Sequence, residues 1–169
     1  RANGMDMDSD FGFTTNQPEI VSFASKCYKG YPTVVNNIPK ENNVYNNTMS
    51  DFARMDSNLA KSQTDIGGSS NLAQIGQTYS CNSDDPKYDD YVCILSVLAQ
   101  VAIDNAKRRF DVDVAKEISR IKADMDIEEN KYPEFWRVIK RDFNKENINK
   151  ELVCPMNYLV NANLGKGKY

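Results

Sequence analysis

The sequence contains no histidine. That removes the commonest general base, and with it Ser-His and Cys-His nucleophilic catalysis. Cysteine is sparse, at Cys27, Cys81, Cys93 and Cys154, with no C-x-x-C pair. Without histidine or paired cysteines the usual zinc-ligand spacings are missing. No secretion signal precedes these cysteines, so the expectation is buried thiols in a reducing compartment rather than two disulfides. No apolar run approaches the roughly 20 residues of a membrane-spanning helix. The chain is therefore expected to be soluble and intracellular, with no membrane partner. A basic excess is lacking too: the net charge is −3. Residues 1–100 hold 7 Lys/Arg against 12 Asp/Glu, and residues 101–169 hold 14 against 12. An autonomous nucleic-acid binder neutralises phosphates with surplus cations, so a nucleic-acid role here needs basic surface from elsewhere. A Gly-rich phosphate loop is also missing.

What is present is ordinary for a globular chain: 169 residues, 40% hydrophobic and 27% charged, enough for one domain with a real core. The 19 asparagines, with many Lys and Ile, suggest an AT-rich genome, and hence the cytoplasm of a low-GC bacterium or of a phage-infected cell. The chain begins at Arg1, and its first ten residues hold its densest chemistry. It is read as a processed product or an excised fragment.

The pattern along the chain is mainly α. It gives a bundle-like region of about five to six helices, preceded by a short β segment that carries an acidic loop. Met5, Met7, Phe11 and Phe13 alternate with polar or small residues, the period of an extended chain. Pro18 and Glu19 suit a helix start, and Gly30 suits its end. The Pro- and Asn-rich stretch 31–47 is an irregular connection pinned by Val34, Val35 and Ile38. Loops this long are usually functional or lie over another part of the molecule. From Ser50 the period becomes helical, with Phe52, Met55, Leu59 and Ile66 near one face. Gly67-Gly68 is expected to stop that helix, and Ser69 or Ser70 to cap the next. The next helix carries Leu72, Ile75 and Tyr79, with Ala73 and Gly76 small enough for close packing. The strongest helix is expected from about Pro86 to Phe110, apolar over so much of its girth that it must be central. Further helices are expected at 112–126 (Val114, Ile118, Ile121, Met125), at 132–143 (Phe135, Trp136, Ile139, Phe143) and near 152–159. The division is residues 1–17 for the acidic segment and 18–169 for the helical domain, with its long loop at 29–49. Phe135 and Trp136 read as a core pair rather than a base-stacking platform.

Asp6, Asp8 and Asp10 form the arrangement with the clearest chemical content. At spacing two on an extended chain, three carboxylates lie on one side of the backbone. Close anions repel unless a cation joins them, and oxygen donors without nitrogen or sulfur favour Mg²⁺, Mn²⁺ or Ca²⁺. A solvated acidic surface is the plain alternative. An EF-hand loop is disfavoured, because its sixth position holds Phe11 and its twelfth holds Gln17, where glycine and a bidentate glutamate belong.

The segment Asn3-Gly4-Met5-Asp6-Met7-Asp8-Ser9-Asp10 resembles the Asp-x-Asp-Gly-Asp signature of two-barrel (double-psi β-barrel) RNA polymerases. The chain is most similar to the branch containing RNA-silencing RNA-dependent polymerases and single-chain phage enzymes. In that branch an Asn-Leu-Gly-x-Ile helix precedes a Cys-x-x-Leu-Ala helix ending in Ala-Val-Asp-x-x-Lys. Here Asn71-Leu72-Ala73-Gln74-Ile75 precedes Cys93-Ile94-Leu95-Ser96-Val97-Leu98-Ala99 and Ala102-Ile103-Asp104-Asn105-Ala106-Lys107. The resemblance covers about residues 3–110. It implies that Asp6, Asp8 and Asp10 hold a catalytic Mg²⁺ (or Mn²⁺) for nucleotidyl transfer. It also implies that Lys107 and Arg108 lie near nucleic acid, although Asp104, Lys107 and Arg108 are spaced as an ordinary helical ion-pair pattern. Ser9 replaces the family's glycine. The family's second barrel, which supplies basic residues, has no counterpart in this sequence. The implied partners are the upstream remainder of the same polymerase, with nucleic acid and NTPs in the full protein, and the chain alone is expected to be inactive. Read from the residues without the resemblance, a helical binding or scaffold module, such as a phage structural or assembly protein, stays open. Another Mg²⁺-dependent phosphotransfer enzyme is a third reading.

Overall fold

A computed structural model describes residues 12–30, 38–105, 109–127, 131–139 and 147–164. The architecture is mainly α. Six helices run in chain order: α1 (Pro18–Gly30), α2 (Met49–Asn82), α3 (Lys87–Asp104), α4 (Val114–Asp124), α5 (Trp136–Ile139) and α6 (Pro155–Leu164). A two-stranded parallel sheet joins β1 (Tyr132–Pro133) to β2 (Ile148–Asn149), with Tyr132 opposite Ile148 and Pro133 opposite Asn149.

α1 starts with Pro18 in its first turn and Glu19 beside it, both suited to the positive end of a helix. It buries none of its residues. α2 is capped by Thr48, whose hydroxyl accepts from the Asp51 amide at 3.2 Å. Asp51 in turn accepts from the Asn46 amide at 2.9 Å. The Asp51 and Asn46 amides are thereby satisfied, and the Asn46 amide is the main cause holding the Asp51 carboxyl below its usual range.

The expected stop at Gly67-Gly68 does not occur. α2 continues unbroken for 34 residues, about 51 Å at 1.5 Å per residue. Ser69, expected as a cap, is instead fully buried and donates to the Asp65 carbonyl one turn back at 2.8 Å. Tertiary packing explains the continuation. A Cβ at Gly68 would lie 3.4 Å from Ile118 Cδ1, and one at Gly76 would lie 3.2 Å from Val92 Cγ2. Gly68 and Gly76 lie where neighbouring helices come close, and that packing offsets glycine's helix penalty of about 1 kcal/mol.

α2 and α3 form an antiparallel pair. Ser62 donates to the Ala102 carbonyl, Gly76 faces Val92, and Ser80 donates to Asp89. α4 runs alongside in the direction of α2, since Gly68 meets Ile118 and Gly76 meets Met125. The core lies between these three helices. Leu95, Val101, Ala102, Ile121 and Met125 have no exposed surface at all. α3 begins after an Asp-Ser turn in which Asp85 accepts from the Lys87 amide at 3.0 Å. It ends sooner than the expected Phe110. The Asn105 side chain accepts from the Phe110 amide at 3.2 Å, and the Phe110 backbone bridges to Lys40 rather than continuing the helix. α4 is capped by Asp113, which accepts from the Lys116 amide at 3.1 Å. Beyond its C-terminus, Asp126 takes φ 48°, a left-handed conformation that Asp tolerates better than most residues.

The helix expected over 132–143 is replaced by β1 and the single turn α5. Pro133 donates no amide and biases Tyr132 towards extended backbone. Tyr132 and Trp136 then stack at 5.3 Å. Phe135 and Trp136 are buried as a core pair, with centroids 6.5 Å apart. Ile139, expected on the same apolar stripe, is exposed, and Phe143 lies outside the described residues. Two asparagines fasten the C-terminal segment. Asn82 accepts from the Val153 amide at 2.9 Å and donates to its carbonyl at 2.8 Å. Buried Asn157 accepts from the Phe135 amide at 2.8 Å and donates to the Leu152 carbonyl at 2.8 Å.

All four cysteines are free thiols. Cys154 is buried and Cys27 half-buried, but Cys81 and Cys93 are exposed. Buried thiols were expected throughout; Cys81 and Cys93 instead fall on the outer faces of α2 and α3.

Candidate functional site

Asp6, Asp8 and Asp10 lie outside the described residues, as do Lys107 and Arg108 and the pinning residues Val34 and Val35. Among the described residues there is no cluster of three or more carboxylate or thiol side chains able to hold a metal ion. No helix of the described residues is long and apolar enough to cross a membrane.

A polar cleft opens at the end of the helical pair where α3 stops. It forms because the connection before α2 lies across the connection after α3. Glu41 N donates to the Arg109 carbonyl at 3.0 Å, and Asp111 N donates to the Pro39 carbonyl at 2.9 Å. Ile38, next to this crossing, packs against the core as expected. The crossing places the Glu41 carboxylate at the centre of a small network. Its Oε2 accepts from the Tyr45 hydroxyl at 3.1 Å and lies 2.8 Å from Arg109 Nε. Its Oε1 accepts from the Asn43 amide. The Arg109 Nε is buried and close enough for an ion pair, yet it is not aligned for a hydrogen bond. The pair therefore acts by charge proximity, and it is only partly shielded from solvent, with side-chain exposures of 33% for Arg109 and 20% for Glu41.

The cleft divides by chemistry. One chamber, of about 450 Å³, has Met55, Leu59 and Tyr45 as apolar walls and Asn43, Asn58 and Asn105 as amides. A smaller recess of about 240 Å³ beside it gathers Arg54, Lys61 and Arg109 with Ser57, Asn58 and Tyr45. The opposite side, about 640 Å³, holds Asp65, Asp111 and Asp113. Burial pushes the Asp65 carboxyl above its usual range, and the Asp113 charge adds to this while Lys61 partly opposes it. Asp113 is also the cap of α4, so its anion is held by the first-turn amide of Lys116. Lys61 and Arg109 line both sides, so the two differ in their acids: three aspartates on this side and Glu41 alone in the small recess.

The sequence reading pointed to this region only indirectly. It marked 31–47 as a loop lying over another part of the molecule, and the described part of it supplies Glu41, Asn43 and Tyr45. Glu41, Tyr45, Arg54, Lys61 and Arg109 were not singled out. The available signal was Arg109 as the third cation of the run Lys107-Arg108-Arg109, immediately after the helix that carries the polymerase resemblance. No family model, curated protein or solved structure matches the chain.

Proposed function

We propose that this chain is part of a Mg²⁺-dependent nucleotidyltransferase of the two-barrel RNA polymerase kind. It supplies the acidic segment Asp6, Asp8 and Asp10 and the helical region that follows. The observation that supports the reading most is the place of the similar segments in the fold. Asn71–Ile75 and Cys93–Asp104, separate in sequence, lie on the two helices that make the central antiparallel pair. Leu72, Ile75, Leu95, Leu98 and Ala102 from these segments are all buried in one core. In this reading the three carboxylates hold the ion, which activates the 3′-hydroxyl and stabilises the charge of the phosphoryl group in transfer. The basic residues that such a site also needs come from a second barrel, which we propose as the chain's partner, with nucleic acid and NTPs as its ligands. Lys107 and Arg108 follow α3 and are proposed to face the nucleic acid.

The test is RNA synthesis by this chain together with that second barrel. Mg²⁺-dependent incorporation of NTPs that Asp8→Ala abolishes is the expected result. Incorporation that persists in the Asp8→Ala protein, or its absence over a broad range of templates and metals, removes the proposal.

A scaffold or binding role has one observation in its favour: the first turns of α2 expose Phe52, Met55 and Leu59, and α1 exposes Ile20, Val21 and Phe23. Such apolar surface suits contact with another macromolecule. It is equally what a part of a larger enzyme presents to its neighbour.

A further inference from the structure

We infer that the cationic recess between α2 and the Glu41–Arg109 crossing is a phosphate-binding site, and that with the adjoining chamber it takes a nucleoside phosphate. Arg54, Lys61 and Arg109 line a recess of about 240 Å³ in which Glu41 is the one acid. Glu41 is already matched by Arg109 at 2.8 Å. Arg54 and Lys61 are the other cations, and Lys61 also lies near Asp65. Arg54 bonds Asp51 through Nη1 at 3.1 Å and lies over the Tyr45 ring, 5.4 Å from its centroid. Both contacts hold the guanidinium at the recess that Arg54 and Tyr45 line together. Lys61 adds a flexible point charge, and the Ser57 hydroxyl and Asn58 amide add neutral donors. The Arg54 guanidinium with the Lys61 ammonium and the Ser57 hydroxyl, beside the Glu41–Arg109 pair, suits a tetrahedral oxyanion with several acceptor oxygens.

The surroundings narrow the class of ligand. The chamber next to the recess joins apolar walls (Met55, Leu59) to amides (Asn43, Asn105) that both donate and accept, and it is lined as well by Lys40, Glu41, Asp56 and Arg109, two cations and two acids. The apolar and amide surfaces suit a planar, hydrogen-bonding base. The Asn105 amide is oriented, because its oxygen is engaged by the Phe110 amide and its NH₂ group is left to donate. On the far side Asp65, Asp111 and Asp113 outnumber Lys61 and Arg109, which line both sides, so the anion is directed towards Arg54. The phosphate can belong to a free nucleotide or to a single-stranded nucleic acid. No metal enters this inference, and it stands whether or not the acidic segment binds Mg²⁺.

The experiment is calorimetric titration of the whole chain, in EDTA, with three probes: ADP, adenosine, and an eight-nucleotide RNA without terminal phosphates. ADP binding that adenosine does not share is expected, and Arg54→Gln with Lys61→Gln weakens it on the order of tenfold or more. Both side chains sit on the exposed part of α2, and matching thermal melts show that the variant folds. RNA binding that is tighter than ADP binding and falls in the same variant identifies a strand as the source of the phosphate. RNA binding no tighter than that of ADP identifies a free nucleotide. The inference is overturned if neither ADP nor RNA binds, if adenosine binds as well as ADP, or if the double variant binds as the parent does. Because EDTA removes divalent ions, this result is independent of the polymerase metal test.

Discussion

Asn157 shows how much one buried amide can hold. It joins the Phe135 amide to the Leu152 carbonyl, so the turn before α5 and the start of α6 share one side chain. Asn157→Ala leaves the buried Phe135 amide and the partly buried Leu152 carbonyl without that partner. The expected cost is about 2–3 kcal/mol, read as a lower urea midpoint. Asp65 gives a test with the opposite sign. Burial first, and then the Asp113 charge, raise its pKa above the ordinary 3.8. The unfolded chain therefore releases this proton at lower pH than the folded one. The contribution of Asp65 to stability is present below the ordinary value and is lost as pH rises through the folded one. Asp65→Asn is expected to gain stability relative to the parent between about pH 3 and pH 6. Urea midpoints at the two pH values check it, and a constant difference would show that Asp65 feels no such environment.

At the scale of the element, the positions of helices were legible and their ends were less so. Pro18 and Gly30 bound α1 as expected, and the 3.6 period placed α3 and α4. The sequence misled where a local signal met a tertiary one. Gly67-Gly68 has the local character of a stop, but the neighbours of Gly68 and Gly76 lie far along the chain, and only the fold shows why a helix should keep them. Tyr132-Pro133 erred the other way: an apolar stripe suggested a helix from Tyr132, but a proline disfavours the helical region for the residue before it, and Tyr132 stays extended. The cleft was the least legible part. Glu41 and Arg109 meet through a backbone crossing of two connections, and no motif or period encodes such a meeting. The glycines supply a graded prediction. A Cβ at Gly67 meets nothing within 4 Å, whereas at Gly76 it would lie 3.2 Å from Val92 Cγ2. Gly67→Ala is expected to stabilise by up to about 1 kcal/mol, with Gly76→Ala gaining less or losing stability. Thermal melts of the two variants settle the order.

Over the whole molecule, stability and recognition occupy different parts of the same long helix. The second half of α2 packs with α3 and α4, and its first turns run past the end of α3. There Phe52, Met55 and Leu59 are 47%, 49% and 52% exposed, while Leu95 in the core is 0% exposed. Leu95→Ala is therefore expected to cost about 2–5 kcal/mol, and Phe52→Ser less than about 0.5 kcal/mol, both by denaturant unfolding. The same exposed stretch of α2 borders the cleft, which places the surface suited to a partner beside the surface suited to a phosphate. The most direct test of the polymerase assignment is titration of this chain with Mn²⁺, followed by NMR line broadening, with Asp8→Ala as the control. The account predicts broadening centred on residues 5–12 that disappears in the variant while the helical core signals stay unchanged. Broadening that is absent from this segment, or that survives Asp8→Ala, would contradict it.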